Sequence, residues 1–307
     1  MNHPILNCLD AKPYLTDSGL ETTLIFQDGI DLPHFASFVL LETEAGRQRL
    51  QDYYVTHIEL ARNRKAGFIL ETPTWRANPD WAEKLHLTLD DLARLNRLAV
   101  AELARLRSAY PDTPMLLSGC IGPRSDGYQP AFRMDASTAE QYHRFQVDCF
   151  ARSDVDMVSA MTLCYVDEAI GITRAAQHAG LPVVISFTVE TDGCLIDGTS
   201  IEQAIRLTDN ATDNGPLYYM INCAHPTHFD SALAGDAWLH RIRGVRANSS
   251  CKSHAELNDS TELDAGDPHE LGQQYAALQS RLERLAVFGG CCGTDHRHIH
   301  AIAHACL

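Results

Sequence analysis

Residues 168–178, EAIGITRAAQH, followed by Gly180 and then by Pro182-Val183-Val184-Ile185-Ser186-Phe187, decide the fold. The first stretch reads as a helix closed by a glycine. The second is a short, unbroken apolar run rich in β-branched residues, the pattern of a strand buried on both faces. The same helix-then-strand alternation continues in both directions. Toward the C-terminus, strand-like runs fall at 217–222, 242–246 and 286–290, separated by helical patterns at 231–239 and 271–285, with another at 201–214 before the first of them. Toward the N-terminus the strands are 155–159, 115–119, 68–71 and 13–16, with helices at 139–153, 89–109 and 45–64. In the last of these, Leu50, Tyr54, Ile58 and Ala61 recur at helical spacing. The segment 231–239 is the weakest of the helical patterns.

Eight apolar strands alternating with helices predict an α/β fold, a closed (β/α)8 TIM barrel formed by a single domain over residues 1–307. A doubly wound open sheet is the competing architecture. No composition break divides the chain, and the polar, acidic stretch 247–268 reads as a long loop over one end of the barrel.

Bulk properties narrow the function classes. The chain has 307 residues, 45% of them hydrophobic, enough to bury a large core. Forty acidic residues against 25 basic ones give a formal charge of −15, which repels a phosphate backbone and argues against a nucleic-acid partner. No apolar run has the length of a membrane span, and the opening Met1-Asn2-His3-Pro4-Ile5 lacks the features of a secretory leader, so the expectation is no membrane association and a cytoplasmic location. The ten cysteines then read as reduced thiols, most of them small buried hydrophobes.

Three of those thiols are placed for chemistry. Asn222-Cys223 ends the sixth strand, and Gly289-Gly290-Cys291-Cys292-Gly293-Thr294 ends the eighth. In an α/β barrel the C-terminal strand ends converge on one face, where sites are built. Adjacent cysteines on a regular strand point to opposite sides, and the flanking glycines are expected to supply backbone angles that turn both thiols toward one ion. Zinc takes sulfur at ~2.3 Å in a tetrahedron, and a reactive site keeps one corner open. Three thiolates make Zn2+ a poor Lewis acid, which disfavours hydrolysis and suits an incoming sulfur that must stay nucleophilic. The implied chemistry is alkyl transfer to a thiol.

These residues are similar to those of the homocysteine S-methyltransferase family, which includes the S-methylmethionine and betaine enzymes, and the similarity extends over nearly the whole chain. Ile221-Asn222-Cys223 and the Gly-Gly-Cys-Cys-Gly-Thr run at 289–294 resemble its zinc-ligand motifs, the most specific part of the match. Asp17-Ser18-Gly19-Leu20-Glu21-Thr22-Thr23-Leu24, Glu71-Thr72-Pro73-Thr74-Trp75 and Gly119-Cys120-Ile121-Gly122-Pro123 resemble its first three strand-end motifs. The resemblance implies a homocysteine-binding barrel with Cys223, Cys291 and Cys292 as zinc ligands and the homocysteine thiolate in the fourth position. It implies a methyl donor of the S-methylmethionine, S-adenosylmethionine or betaine type, methionine as product, and no protein nucleophile. Asp17, Thr72 and Asn222 are candidates for substrate binding, and Trp75 for a cation–π wall against the donor.

One position departs from the pattern. After the fourth strand the family carries Glu-Thr-Leu/Met, with the Glu holding the substrate amino group. Here Ala160-Met161-Thr162-Leu163-Cys164 puts Met161 in its place. Either another carboxylate substitutes, with Glu190 of Thr188-Val189-Glu190-Thr191 the candidate, or the acceptor is a different thiol. His225 and His228 flank the Cys223 motif and are candidates for supporting groups. His296, His298, His300 and His304 fall on what reads as an exposed helix face. The remaining readings are a zinc hydrolase on the same barrel and a zinc- or thiol-binding module that works with a partner chain. The sequence leaves the choice between monomer and homo-oligomer open.

Overall fold

In the computed structural model of the chain, described for residues 3–235, 237–258, 260 and 262–307, eight parallel strands close into a barrel in sequence order. They are β1 (Tyr14–Leu15), β2 (Gly67–Glu71), β3 (Met115–Ile121), β4 (Met157–Leu163), β5 (Val183–Phe187), β6 (Tyr219–Asn222), β7 (Ile242–Ala247) and β8 (Val287–Gly290). Closure is made by β1 against β8, pairing Tyr14 with Val287 and Leu15 with Phe288. That pairing excludes the open doubly wound sheet. No helix among the described residues is long and apolar enough to cross a membrane.

Side chains alternate between the two sides of each strand. One set forms the barrel interior: Tyr14, Ile69, Leu116, Met157, Val184, Tyr218, Met220 and Val287 pack together, and Ile5 and Leu9 of the helix Pro4–Ala11 join them from the N-terminal side. The other set, including Leu15, Phe68, Leu117, Val158, Ile185, Phe187, Val245 and Phe288, meets the apolar faces of the surrounding helices. Above the apolar layers the interior turns polar. Ser118 and Ser159 share a hydrogen bond at 2.6 Å, and Ser186 donates to Asn222 at 2.6 Å. This change of polarity along the barrel axis locates the site.

The helix boundaries follow local chemistry. Leu89–Ala109 begins at a Thr88/Asp91 capping box, and Ile201–Thr212 begins at a Ser200/Gln203 box. Three expectations are corrected. The segment 231–239 forms short 3-10 pieces, Asp230–Ala232 and Ala237–Arg241, in place of a full helix. Gly235, at φ +112, interrupts it. The loop 247–268 contains a helical turn, His254–Asn258. The fourth strand extends to Leu163, with a register irregularity after Ala160, so Met161 lies within the strand and faces the interior cluster.

The candidate metal and substrate site

The three cysteines meet. Their sulfurs all lie within 4.8 Å of one another at the C-terminal face of the barrel, with Cys223 Sγ 3.8 Å from Cys292 Sγ. Four ligands at ~2.3 Å in a tetrahedron imply a sulfur–sulfur spacing of about 3.8 Å, so the arrangement fits zinc. Among the described residues no other group of three or more His, Cys, Asp or Glu side chains converges in this way. His225 caps the helix Pro226–Phe229 through Thr227, and His228 bonds to the carbonyl of Cys251 at 2.9 Å, so neither joins the sulfurs.

The electrostatics of the thiols also point to a cation. Hydrogen bonds from Cys291 and Cys292 hold the Cys223 thiol well below the usual range. The same interaction, with Cys223 as the charged partner, pushes Cys291 up to about 12 and raises Cys292 well above normal. One thiolate is favourable here and three are mutually repelling. A divalent metal is what would deprotonate them together.

The backbone is bent to present them. Cys223 adopts φ +55 and Thr162, beside it, φ +62, conformations that cost a β-carbon residue on the order of 1 kcal/mol each. Three donors secure the Cys223 turn through its carbonyl: Asn248 Nδ2 at 3.0 Å, His254 Nε2 at 2.7 Å and Thr188 Oγ1 at 3.3 Å. At the other motif, Gly293 takes φ +79. Gly289 and Gly290 serve differently from the expectation. A β-carbon on them would collide with the hydroxyls of Thr16 and Thr294 respectively, so they are required by close approach and not by backbone angle.

A partly enclosed cavity opens beside the sulfurs. Asp17, Thr72, Trp75, Asn222 and the three cysteines, all singled out in the sequence, line it. Asn222 donates to Thr162 Oγ1 at 2.8 Å and faces Cys291 Sγ at 3.9 Å. Thr72 Oγ1 is committed to Thr74 at 2.6 Å and to the Cys120 amide at 2.9 Å. Trp75 is half-buried, with the guanidinium of Arg76 lying 4.1 Å from its ring centre. Glu190 is not among the lining residues. Its carboxylate stands 3.3 Å from His254 Nδ1, so it reaches the site only through the ring that holds the Cys223 carbonyl.

Several lining residues escaped the sequence reading. Arg246, at the end of β7, bonds through Nη2 to Asp17 at 2.9 Å and through Nη1 to Glu71. Tyr53 donates to the second Asp17 oxygen at 3.0 Å. Burial pushes the Glu71 carboxyl up to about 6, against the lowering pull of Arg246. A charged residue at the C-terminal end of a strand, where barrel sites are built, was the available signal for Arg246. Tyr128, whose hydroxyl lies 3.7 Å from Cys292 Sγ, comes from a loop with no local signature. Cys120, read as a packing thiol, lines the cavity as well. At the C-terminal helix, His298 is fully buried between Asp295 and the Ala265 carbonyl, a correction to the exposed histidine face; His296, His300 and His304 are exposed.

Comparisons with known proteins agree with this fold. The Escherichia coli homocysteine methyltransferase MmuM superposes with TM-scores of 0.78 in its oxidized form and 0.75 in its metallated form, at 19% identity, over 98–99% of both chains. At that identity the likeness speaks for the fold. The S-methylmethionine–homocysteine S-methyltransferase of Mus musculus is 22% identical over 56% of this chain and 50% of its own length. The betaine–homocysteine S-methyltransferase 1 of Bos taurus is 26% identical over 52% of this chain and 41% of its own. These alignments thus span half or less of the curated relatives. The sequence profile described as homocysteine S-methyltransferase, in contrast, matches residues 14–306, nearly the whole barrel, and the chain belongs to that family.

Proposed function

We propose that this chain is a zinc-dependent S-methyltransferase, moving a methyl group from a small cationic donor to the thiolate of homocysteine and forming methionine. The observation that carries the reading is the convergence of Cys223, Cys291 and Cys292 beside a cavity lined by polar side chains. Zinc held by the three thiolates would keep an incoming fourth sulfur deprotonated and nucleophilic at neutral pH.

The remaining work falls to the chain. Asn222, fixed by Thr162 and Ser186, holds its amide against Cys291 and orients that thiol. Asp17, clamped by Arg246 and Tyr53, supplies a fixed carboxylate at the cavity floor. On the solvent side of Cys292 and Tyr128 a second, open chamber is lined by Glu21, Asp126, Glu262 and Asp264 against the guanidinium of Arg76, with Phe26, Phe35 and Trp75 as apolar walls. An acidic, aromatic chamber favours a sulfonium or quaternary ammonium donor, which carries its transferable methyl on a cationic centre. Such a donor would enter from this side with its methyl carbon facing the acceptor sulfur, so that the new carbon–sulfur bond forms as the neutral sulfide or tertiary amine departs into the chamber.

The test is metal analysis followed by a donor-by-acceptor screen on the purified protein. Stoichiometric zinc, with methionine formed from homocysteine and S-methylmethionine or betaine, is the expected result. Tightly held zinc without methyl transfer from any of the three donor types would overturn the reading.

A further inference from the structure

Met161 lines the cavity with a thioether at the position where the family resemblance implies a carboxylate, yet the cavity is not short of negative charge. Asp17, Glu21 and Glu71 all line it. Both oxygens of Asp17 are occupied by protein donors, Arg246 and Tyr53. Glu21 is bonded to the hydroxyl of Ser37 at 2.8 Å and also borders the outer chamber. Glu71 differs. Its Oε2 takes Arg246 Nη1, and among the described residues its only other side-chain partner is the neutral hydroxyl of Ser159, which is shared with Ser118 at 2.6 Å.

Arg246 cannot serve an incoming anion in turn, because each of its nitrogens is bound: Nε to the Gly290 carbonyl at 3.1 Å, Nη1 to Glu71, and Nη2 to Asp17 and the Ser18 carbonyl. One buried guanidinium set against two carboxylates, Asp17 and Glu71, leaves one negative charge in excess. A buried charge without a counter-charge is expensive, and a ligand cation would offset it.

We propose that Glu71, positioned by Arg246, is the specificity-determining carboxylate of the acceptor pocket and receives the ammonium group of an amino-thiol. The inference rests on the acceptor reading above, and it places on β2 the function for which Met161 on β4 has no chemistry. Burial raises the proton affinity of Glu71, and a neighbouring ligand cation would favour its charged form.

The experiment is calorimetric titration of the zinc-loaded protein with L-homocysteine and with 4-mercaptobutanoate, which keeps the thiol and the carboxylate but lacks the amine. Wild-type protein should bind homocysteine tighter by roughly 10- to 100-fold, the worth of one charge-assisted contact. Glu71→Gln should bring the ratio to within about threefold while leaving 4-mercaptobutanoate binding unchanged or tighter, since only the ammonium contact is lost. Equal affinities in the wild type, or an undiminished ratio in Glu71→Gln, would overturn the proposal. The wild-type comparison needs no variant and can overturn the proposal by itself, and Glu71→Asp, which keeps the charge but shortens its reach, should lower the ratio where Glu71→Gln does not fold. A clear homocysteine preference in a protein that transfers no methyl would keep the role of Glu71 and remove the methyltransferase reading instead.

Discussion

Asn222 and Thr162 hold each other by a reciprocal pair of hydrogen bonds: the Thr162 amide donates to Asn222 Oδ1 at 2.9 Å, and Asn222 Nδ2 donates to Thr162 Oγ1 at 2.8 Å. The pair joins the ends of β4 and β6, keeps Thr162 in its left-handed conformation, and sets the amide edge against Cys291. Asn222→Ala should therefore cost about 2–3 kcal/mol of stability by orphaning buried partners, read as a fall in Tm. Asn222→Asp should keep more of the stability but bind zinc more weakly than Asn222→Ala, because it sets a negative charge against thiolates. Competition with a chromogenic chelator measures the second effect.

The strained turn at Cys223 separates stability from metal binding. Cys223→Ala and Cys223→Gly both delete a ligand, and each should lower zinc affinity by at least about 100-fold. The glycine accepts φ +55 without cost, so Cys223→Gly should be more stable than Cys223→Ala by about 1 kcal/mol. Denaturant titration of the two metal-free variants checks this, and equal stability would argue against the strain.

Glu71 should impose a pH dependence on acceptor choice. Its pKa is raised to about 6 by burial, with Arg246 lowering it and Asp17 raising it. The carboxylate needed for an ammonium contact forms as pH rises through that value. The affinity ratio of homocysteine to 4-mercaptobutanoate should accordingly grow between about pH 5 and 7 and then level off. Thiol ionisation is common to both ligands and cancels in the ratio. Glu71→Gln should flatten the profile.

Glu190 and His254 offer a contrast. If Glu190 acts only by orienting His254 toward the Cys223 carbonyl, Glu190→Gln should change the KM for homocysteine by less than about threefold. His254→Ala should lower zinc affinity by about 10-fold, the usual order for a group that orients a ligand. A large KM effect confined to Glu190→Gln would return that residue to the substrate.

Trp75 tests the outer chamber. One of its faces already carries Arg76, and replacement by Leu removes the aromatic wall while keeping bulk. Trp75→Leu should raise the KM for the donor by about 5- to 10-fold and leave that for the acceptor near its original value. Bisubstrate steady-state kinetics separates the two.

The alternation of helices with apolar strands fixed the barrel, because periodicity and strand length are local properties of a chain. The convergence of the three proposed metal ligands was legible for a related reason. Cys223 and the Cys291-Cys292 pair sit at the ends of strands, and a parallel barrel brings all such ends to one face whatever the details. The destination of the carboxylates was not legible. Glu190 and Glu71 both follow or end an apolar strand in the sequence, yet one pairs with His254 outside the cavity and the other with Arg246 inside it. That choice depends on the closure of β8 against β1, which brings Arg246 of β7 toward Asp17 of the β1 end and Glu71 of β2. Strand stagger and the alternation of side chains then decide which groups face inward. No stretch of sequence contains that information, because the partners are 175 and 229 residues apart and meet only when the sheet becomes a cylinder.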